Sequence, residues 1–183
     1  QTFKDTDLPL LKLRMTENEA CVFLGEKGCT IYPNRPVVCR NYPVGTATKK
    51  PDEESGVNSY FMIEEDMCKG HFESKKWTVN EYKNNQGATE LDALNQPWLE
   101  IVARLKSLKP SGDQDQKMNI FIMVSYDQDA FRSFVFNSSF LSRFDISADR
   151  VAKVESDDEE LLKLGLDWLK FALFADGPIH PRK

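Results

Sequence analysis

No cysteine follows Cys68 in this 183-residue chain, and only two histidines, His71 and His180, are present. The sequence has no Gly-rich phosphate loop, no GxSxG and no HExxH. Nucleotide-cradling, serine-hydrolase and zincin chemistry therefore lack their usual local signatures. No apolar run reaches eighteen residues, which excludes a membrane-spanning helix. The start also lacks the charged-then-apolar pattern of a secretory signal. There is no excess of basic residues; the net charge is −5, which argues against a general binder of phosphate backbones. No internal repeat and no low-complexity tract occurs. The expectation is a cytoplasmic, reducing compartment, with no nucleic-acid and no membrane partner, room for a protein partner, and no indication of oligomeric state.

Against these absences stand four cysteines, Cys21, Cys29, Cys39 and Cys68, gathered in one polar stretch. Turn formers punctuate that stretch at Gly25, Gly28, Pro33-Asn34, Pro36, Pro43 and Gly45. In a reducing compartment, clustered thiols of this kind are more often metal ligands than disulfides. The spacing is C-x7-C-x9-C-x28-C. Four thiolates complete a tetrahedral zinc site or hold an iron–sulfur cluster, and both metals accept sulfur, so the spacing does not choose between them. Arg35, Arg40 and Lys69 lie near the cysteines in sequence and offset the charge of a thiolate-rich centre. Gly28 lets the backbone come close to Cys29 and offers its amide to sulfur. The competing readings are buried core cysteines and a redox disulfide; the latter normally uses a CxxC pair with a depressed thiol pKa, and no such pair is present.

The fold class expected is α+β, a mainly helical body with a loop-rich cysteine segment and one or two short strands. Residues 1–75 form the cysteine-rich metal-binding segment and 76–183 the mainly helical C-terminal part, together one compact unit. Lys49–Asn58 reads as an exposed loop and Ser59–Ile63 as a short strand leading to Cys68. Trp77–Gly87 is a candidate helix. Pro97–Leu108 repeats Trp98, Ile101, Val102, Leu105 and Leu108 on one helical face, with Pro97 in the first turn and Pro110-Ser111-Gly112 as the stop. Met118–Val124 reads as a buried strand. Asp127 is an N-cap, followed by an apolar face at Phe131, Phe134 and Val135. The stretch Phe131–Phe144 is read as helix core, with Arg132 and Arg143 on its polar side. A last helix spans about Asp157–Ala175; four acids open it, a broad leucine-rich stripe follows, and Gly177-Pro178 ends it.

The run from Cys21 to Pro43, Cys-Val-Phe-Leu…Gly-Cys-Thr-Ile-Tyr-Pro-Asn-Arg-Pro-Val-Val-Cys-Arg-Asn-Tyr-Pro, resembles the YkgJ-like cysteine-cluster family of zinc- or iron-chelating CxxCxxCC proteins. That family's pattern is roughly C-x-F-L…G-C-x-I-Y-x-x-R-P-x-x-C-R-x-[FY]-P with a later cysteine, where Cys68 stands here. Trp77–Gly87 resembles an extension seen in some members. The resemblance implies a metal centre, often described as iron–sulfur, with Cys21, Cys29, Cys39 and Cys68 among the ligands, and relatives of the cluster occur in a flagellin lysine methylase. The family's name-giving CxxCxxCC run precedes this point, whereas this chain opens at Gln1 with no earlier cysteine. The expectation is a trimmed fragment that lacks the N-terminal cysteines.

The functional expectation is a metal-binding cysteine-cluster protein, with an iron–sulfur cluster preferred over zinc and an accessory or redox-related role. Its alternatives are an enzyme such as a cluster-dependent protein methylase, or a zinc-stabilised protein-interaction module. No catalytic residue is named. His71, three residues after Cys68, is an alternative ligand; His180 falls in a terminal tail expected to be disordered. Glu64, Glu65 and Asp66 read as a solvated turn. Glu81 and Asp92 become an acid–base pair only if a cleft joins them.

Overall fold

A computed structural model describes residues 8, 9, 11–47, 59–66, 68–107 and 114–182. The exposed loop expected at 49–58 and the stop at 110–112 lie outside them. The chain divides into two compact units, one of Leu11–Gln96 and one of Gln1–Leu10 with Pro97–Lys183. The architecture is mainly helical with two small antiparallel sheets, as the α+β expectation has it.

In the unit of Leu11–Gln96, β1 (Leu24–Gly25) and β2 (Gly28–Cys29) form a minimal hairpin in which Leu24 faces Cys29 and Gly25 faces Gly28. Gly28 sits at φ +108, a conformation closed to most side chains, so the turn requires a glycine there. A 3-10 turn at Tyr32–Asn34 leads through Arg35-Pro36 into the short helix α1 (Val37–Asn41), where Pro36 is the N-cap. Strands β3 (Val44–Ala47) and β4 (Ser59–Met62) pair from Val44–Met62 to Ala47–Ser59, which places the expected strand at 59–63. A second 3-10 turn, Lys69–Phe72, follows Cys68.

Helix α2 (Val79–Asn85) falls where Trp77–Gly87 is expected, and its start has a local cause. Thr78 and Glu81 form a capping box: the Thr78 hydroxyl accepts from the Glu81 amide, and the Glu81 carboxylate accepts from the Thr78 amide at 2.8 Å. The Glu81 carboxyl is held below the usual range, chiefly by that amide and then by the Thr78 hydroxyl. A depressed carboxyl pKa stabilises the folded form above the ordinary glutamate range, and that contribution disappears as pH falls through the depressed value. Acidification should therefore lower the protection factors of the first-turn amides of α2, taken against their intrinsic exchange rates at each pH, before the rest of the unit opens. Thr78→Ala should remove about 1 kcal/mol and weaken this local pH dependence, both measurable by hydrogen exchange. It should not abolish the dependence, because the residue 78 amide still donates to the Glu81 carboxylate.

Helix α3 (Thr89–Ser107) corrects the expected start at Pro97. The preceding turn, Thr89-Glu90-Leu91-Asp92-Ala93-Leu94, is made of residues that tolerate a helix, with Glu90 and Asp92 complementing the dipole. Pro97 is thus inside the helix, where it removes one hydrogen bond without ending the element. In the other unit, α4 (Gln114–Tyr126) corrects the buried strand expected at Met118–Val124. Phe121 and Val124 are buried while Ile122 is exposed, the three-residue recurrence of a helix rather than the alternation of a strand. Asp127 caps α5 (Gln128–Asn137) by accepting from the Ala130 amide, as expected. The short helix α6 (Phe140–Arg143) and α7 (Ala148–Ser156) follow; α7 carries no expectation in the sequence reading.

Asp157 ends α7 and caps α8 (Asp158–Phe174), accepting from the amides of Glu159 and Glu160. Leu161, Leu164, Leu166, Trp168, Leu169 and Leu173 of α8 are buried against α4, α5 and α7. Gly165 lets α8 close on its neighbours: a Cβ there would stand 2.6 Å from Val124 Cγ1 and 2.9 Å from Phe131 Cε1. The aromatic stretch is core, with Phe131, Phe134, Phe140 and Phe144 arranged around Trp168. Arg132 donates to the carbonyls of Val154 and Glu155 and pairs with Asp158.

The tail at His180 corrects the expected disorder. Ile179 is buried, the Asp145 amide donates to the His180 carbonyl, and the Arg182 amide donates to the Arg143 carbonyl. An apolar anchor and a backbone pairing are enough to hold a terminal segment that composition alone marks as loose.

Candidate metal centre

Cys21 sits on a bridge to Met15, just before the β1–β2 hairpin, and Cys29 closes that hairpin. Cys39 lies in α1, its amide donating to the Pro36 carbonyl at 2.9 Å. Cys68 precedes the 3-10 turn at 69–72. All four are free thiols; Cys29 and Cys39 are exposed, Cys21 and Cys68 half-buried.

The electrostatics divide the set. Although Cys39 is exposed as a residue, partial loss of water around its sulfur is the first cause that pushes the thiol up, followed by the charges of Cys21 and Cys29, while the Arg35 guanidinium pulls it down. Cys21 and Cys29 are thus both within electrostatic reach of Cys39. A thiol whose ionisation is opposed by neighbouring thiolates is a donor that a soft cation relieves, so the chemistry of this set fits a metal. Among the described residues, no three His, Cys, Asp or Glu side chains close up as tightly as a bound ion requires.

Residues 2–69 match the CxxCxxCC family model, a putative zinc- or iron-chelating domain.

The match spans all four cysteines and bears out the family resemblance. The character of the CxxCxxCC domain supports metal binding by this segment. Comparison with curated proteins and with solved structures gave no match. No helix among the described residues is long and apolar enough to cross a membrane.

The arginines of the matched segment have different tasks. Arg35 is the one that lowers the Cys39 thiol; it also lies over the Tyr32 ring at 4.0 Å and donates to Gln86 Oε1 at 2.7 Å. Arg40 commits all three of its nitrogens to carbonyls, those of Arg35 at 3.0 Å, Gln86 at 3.0 Å and Pro33 at 2.6 Å. It ties the Cys29–Cys39 connection to the end of α2. Lys69 is exposed in its 3-10 turn.

Cys68 has its own surroundings. The Tyr42 hydroxyl bonds to Glu65 Oε2 at 2.8 Å, and its pKa is raised first by that bond, then by burial and by a bond to the Cys68 thiol. Tyr82 donates to the Tyr42 carbonyl, and its hydroxyl is pushed up by burial and then by Cys68. Tyr42, Glu65 and Tyr82 are thus neighbours of the site that sequence reasoning did not single out. Only the Tyr-Pro of the family pattern signalled Tyr42; Glu65 and Tyr82 carried no signal beyond their places in a turn and a helix.

Glu81 and Asp92 are not an acid–base pair. Glu81 belongs to the capping box, and Asp92 pairs with Lys83 at 2.7 Å while accepting from the Asn41 amide at 3.2 Å.

Proposed function

We propose that Cys21, Cys29, Cys39 and Cys68 are thiolate ligands of a metal centre, and that the protein is an accessory or redox-related metalloprotein rather than an enzyme. The observation that carries this reading is the charge of Cys21 and Cys29 acting on the Cys39 thiol, in a segment that matches the CxxCxxCC family model. The preferred centre is an iron–sulfur cluster, which four thiolates hold directly. Zinc is the other metal that the same donors accept, and it would serve as a structural clasp.

Metal analysis with an optical spectrum, on protein purified without oxygen, tests both parts. Iron with stoichiometric inorganic sulfide and visible absorption is the expected result. A colourless protein with zinc replaces the iron–sulfur assignment and keeps the thiolate site. Protein with no bound metal, and none taken up when iron or zinc is offered, removes the reading altogether. Cys39→Ser should lose most of the bound metal; unchanged content would take Cys39 out of the ligand set. Because ligation requires thiolates, uptake should fall as pH is lowered, and it should do so at higher pH than for an ordinary thiol, since Cys39 is raised.

A further inference from the structure

Cys68-Lys69-Gly70-His71 places two strong metal donors three residues apart, with a glycine between them. The His71 amide donates to the Cys68 carbonyl at 3.4 Å, closing a four-residue turn that runs into the 3-10 segment 69–72. In such a turn residues i and i+3 lie over one another, with their Cα atoms within about 7 Å. The Cys68 thiol folds back over the turn: a Cβ on Gly70 would stand 3.7 Å from its Sγ.

The second observation concerns the imidazole. Nε2 of His71 is buried and has no hydrogen-bond partner among the described residues. Buried polar nitrogens of this kind are rare because each forfeits its bond to water. Two oxygens share that condition, Asn41 Oδ1 and Gln128 Oε1. Each belongs to an amide whose nitrogen is already bonded, to Asp92 and to the Val124 carbonyl. Neither side chain is a strong ligand for zinc or iron; imidazole is.

We propose that Cys68 and His71 form a two-donor clip, in which Sγ of Cys68 and Nε2 of His71 bind one transition-metal ion. The clip makes the coordination mixed sulfur and nitrogen rather than all sulfur. This rests on the reading of Cys68 as a ligand, and in a four-coordinate ion His71 takes a position that one of the other thiolates would otherwise fill. Zinc(II), cobalt(II) and iron bound through sulfur and nitrogen all fit such a pair. The buried Nε2 is satisfied when the ion is bound, so loading should also tighten the turn at 68–72.

The test uses the full chain freed of metal and titrated with zinc(II) against a chelating dye, with cobalt(II) as the optical stand-in. His71→Gln keeps a hydrogen-bonding amide near the Nε2 position but removes the ligand. It should weaken zinc binding by roughly 100-fold, the upper end of what disturbing a metal's supporting partners costs, and change the cobalt d–d bands. His71→Cys should restore affinity and add thiolate-to-cobalt charge-transfer intensity, which also answers any concern that the glutamine variant is merely misfolded. If His71→Gln binds zinc like the parent chain while Cys39→Ser does not, the clip is wrong and the thiolate reading stands. If the parent chain binds neither ion, both fall together.

Discussion

Phe131→Ala should cost about 3–5 kcal/mol of stability in the unit of residues 97–183, the range for deleting a fully buried aromatic ring. Phe131 has no exposed surface, stacks on Trp168 with ring centroids 5.9 Å apart, and meets Phe140 edge-on at 6.3 Å. Its ring also lies where α8 crosses α5 at Gly165, so truncation opens a void that neither helix can fill without moving. The thermal midpoint of this unit should fall by roughly 15–25 °C, with a change in Trp168 emission as its packing loosens. Gly165→Ala alone should destabilise through overpacking by about 1–3 kcal/mol. Combined with Phe131→Ala it should cost less than the sum, because the new Cβ gains room on one side. The rescue is incomplete, since Val124 stands closer to that Cβ than Phe131 does. Additive behaviour in this cycle would show that the two residues do not share the space assigned to them. Phe72→Ala is the control: at 79% exposure the ring should change stability by less than about 0.5 kcal/mol.

Local chemistry was legible in the sequence, and long-range chemistry was not. Asp127 and the stripe of α8 could be read because a cap and a helical period are properties of a few adjacent residues. Met118–Val124 could not, since a short run of β-branched and large apolar residues suits a buried strand and a buried helix equally. What decides it is the company of α8, which buries Phe121 and Val124 and leaves Ile122 outside. Pro97 misled in a different way. A proline usually marks a boundary, but the residues before it carry the helix by themselves, and the loss of one hydrogen bond does not break α3. In the candidate site the cysteines and the Arg35-Pro36…Cys39-Arg40 context were readable as pattern. That Gln86 receives both arginines was not, because it is 51 positions from Arg35 and 46 from Arg40.

Arg40→Ala should disable metal uptake without touching a ligand. Its three bonds join Pro33, Arg35 and the end of α2 around the stretch that carries Cys39. Removing them leaves three carbonyls to water and should cost about 3 kcal/mol, the upper figure for a single charge-assisted bond, because solvent replaces the rest. Gly87 adds a constraint at the same place: it sits at φ +61, and a Cβ there would stand 3.2 Å from an Arg40 guanidinium nitrogen. Arg40→Lys separates two roles. If Arg40 serves the thiolates by its positive charge, lysine should restore uptake. The geometry indicates the other role, since one ammonium cannot span three carbonyls set around a planar fork. The expected outcome is that lysine and alanine variants lose metal affinity alike, while Arg35→Lys, which keeps a positive charge beside Cys39, loses less. Rescue by Arg40→Lys would reverse the assignment and make the residue an electrostatic partner of the site. On the clamp reading, this arginine is the point where the order of α2 and the placement of Cys39 become one event, so metal loading should protect the α2 amides from exchange.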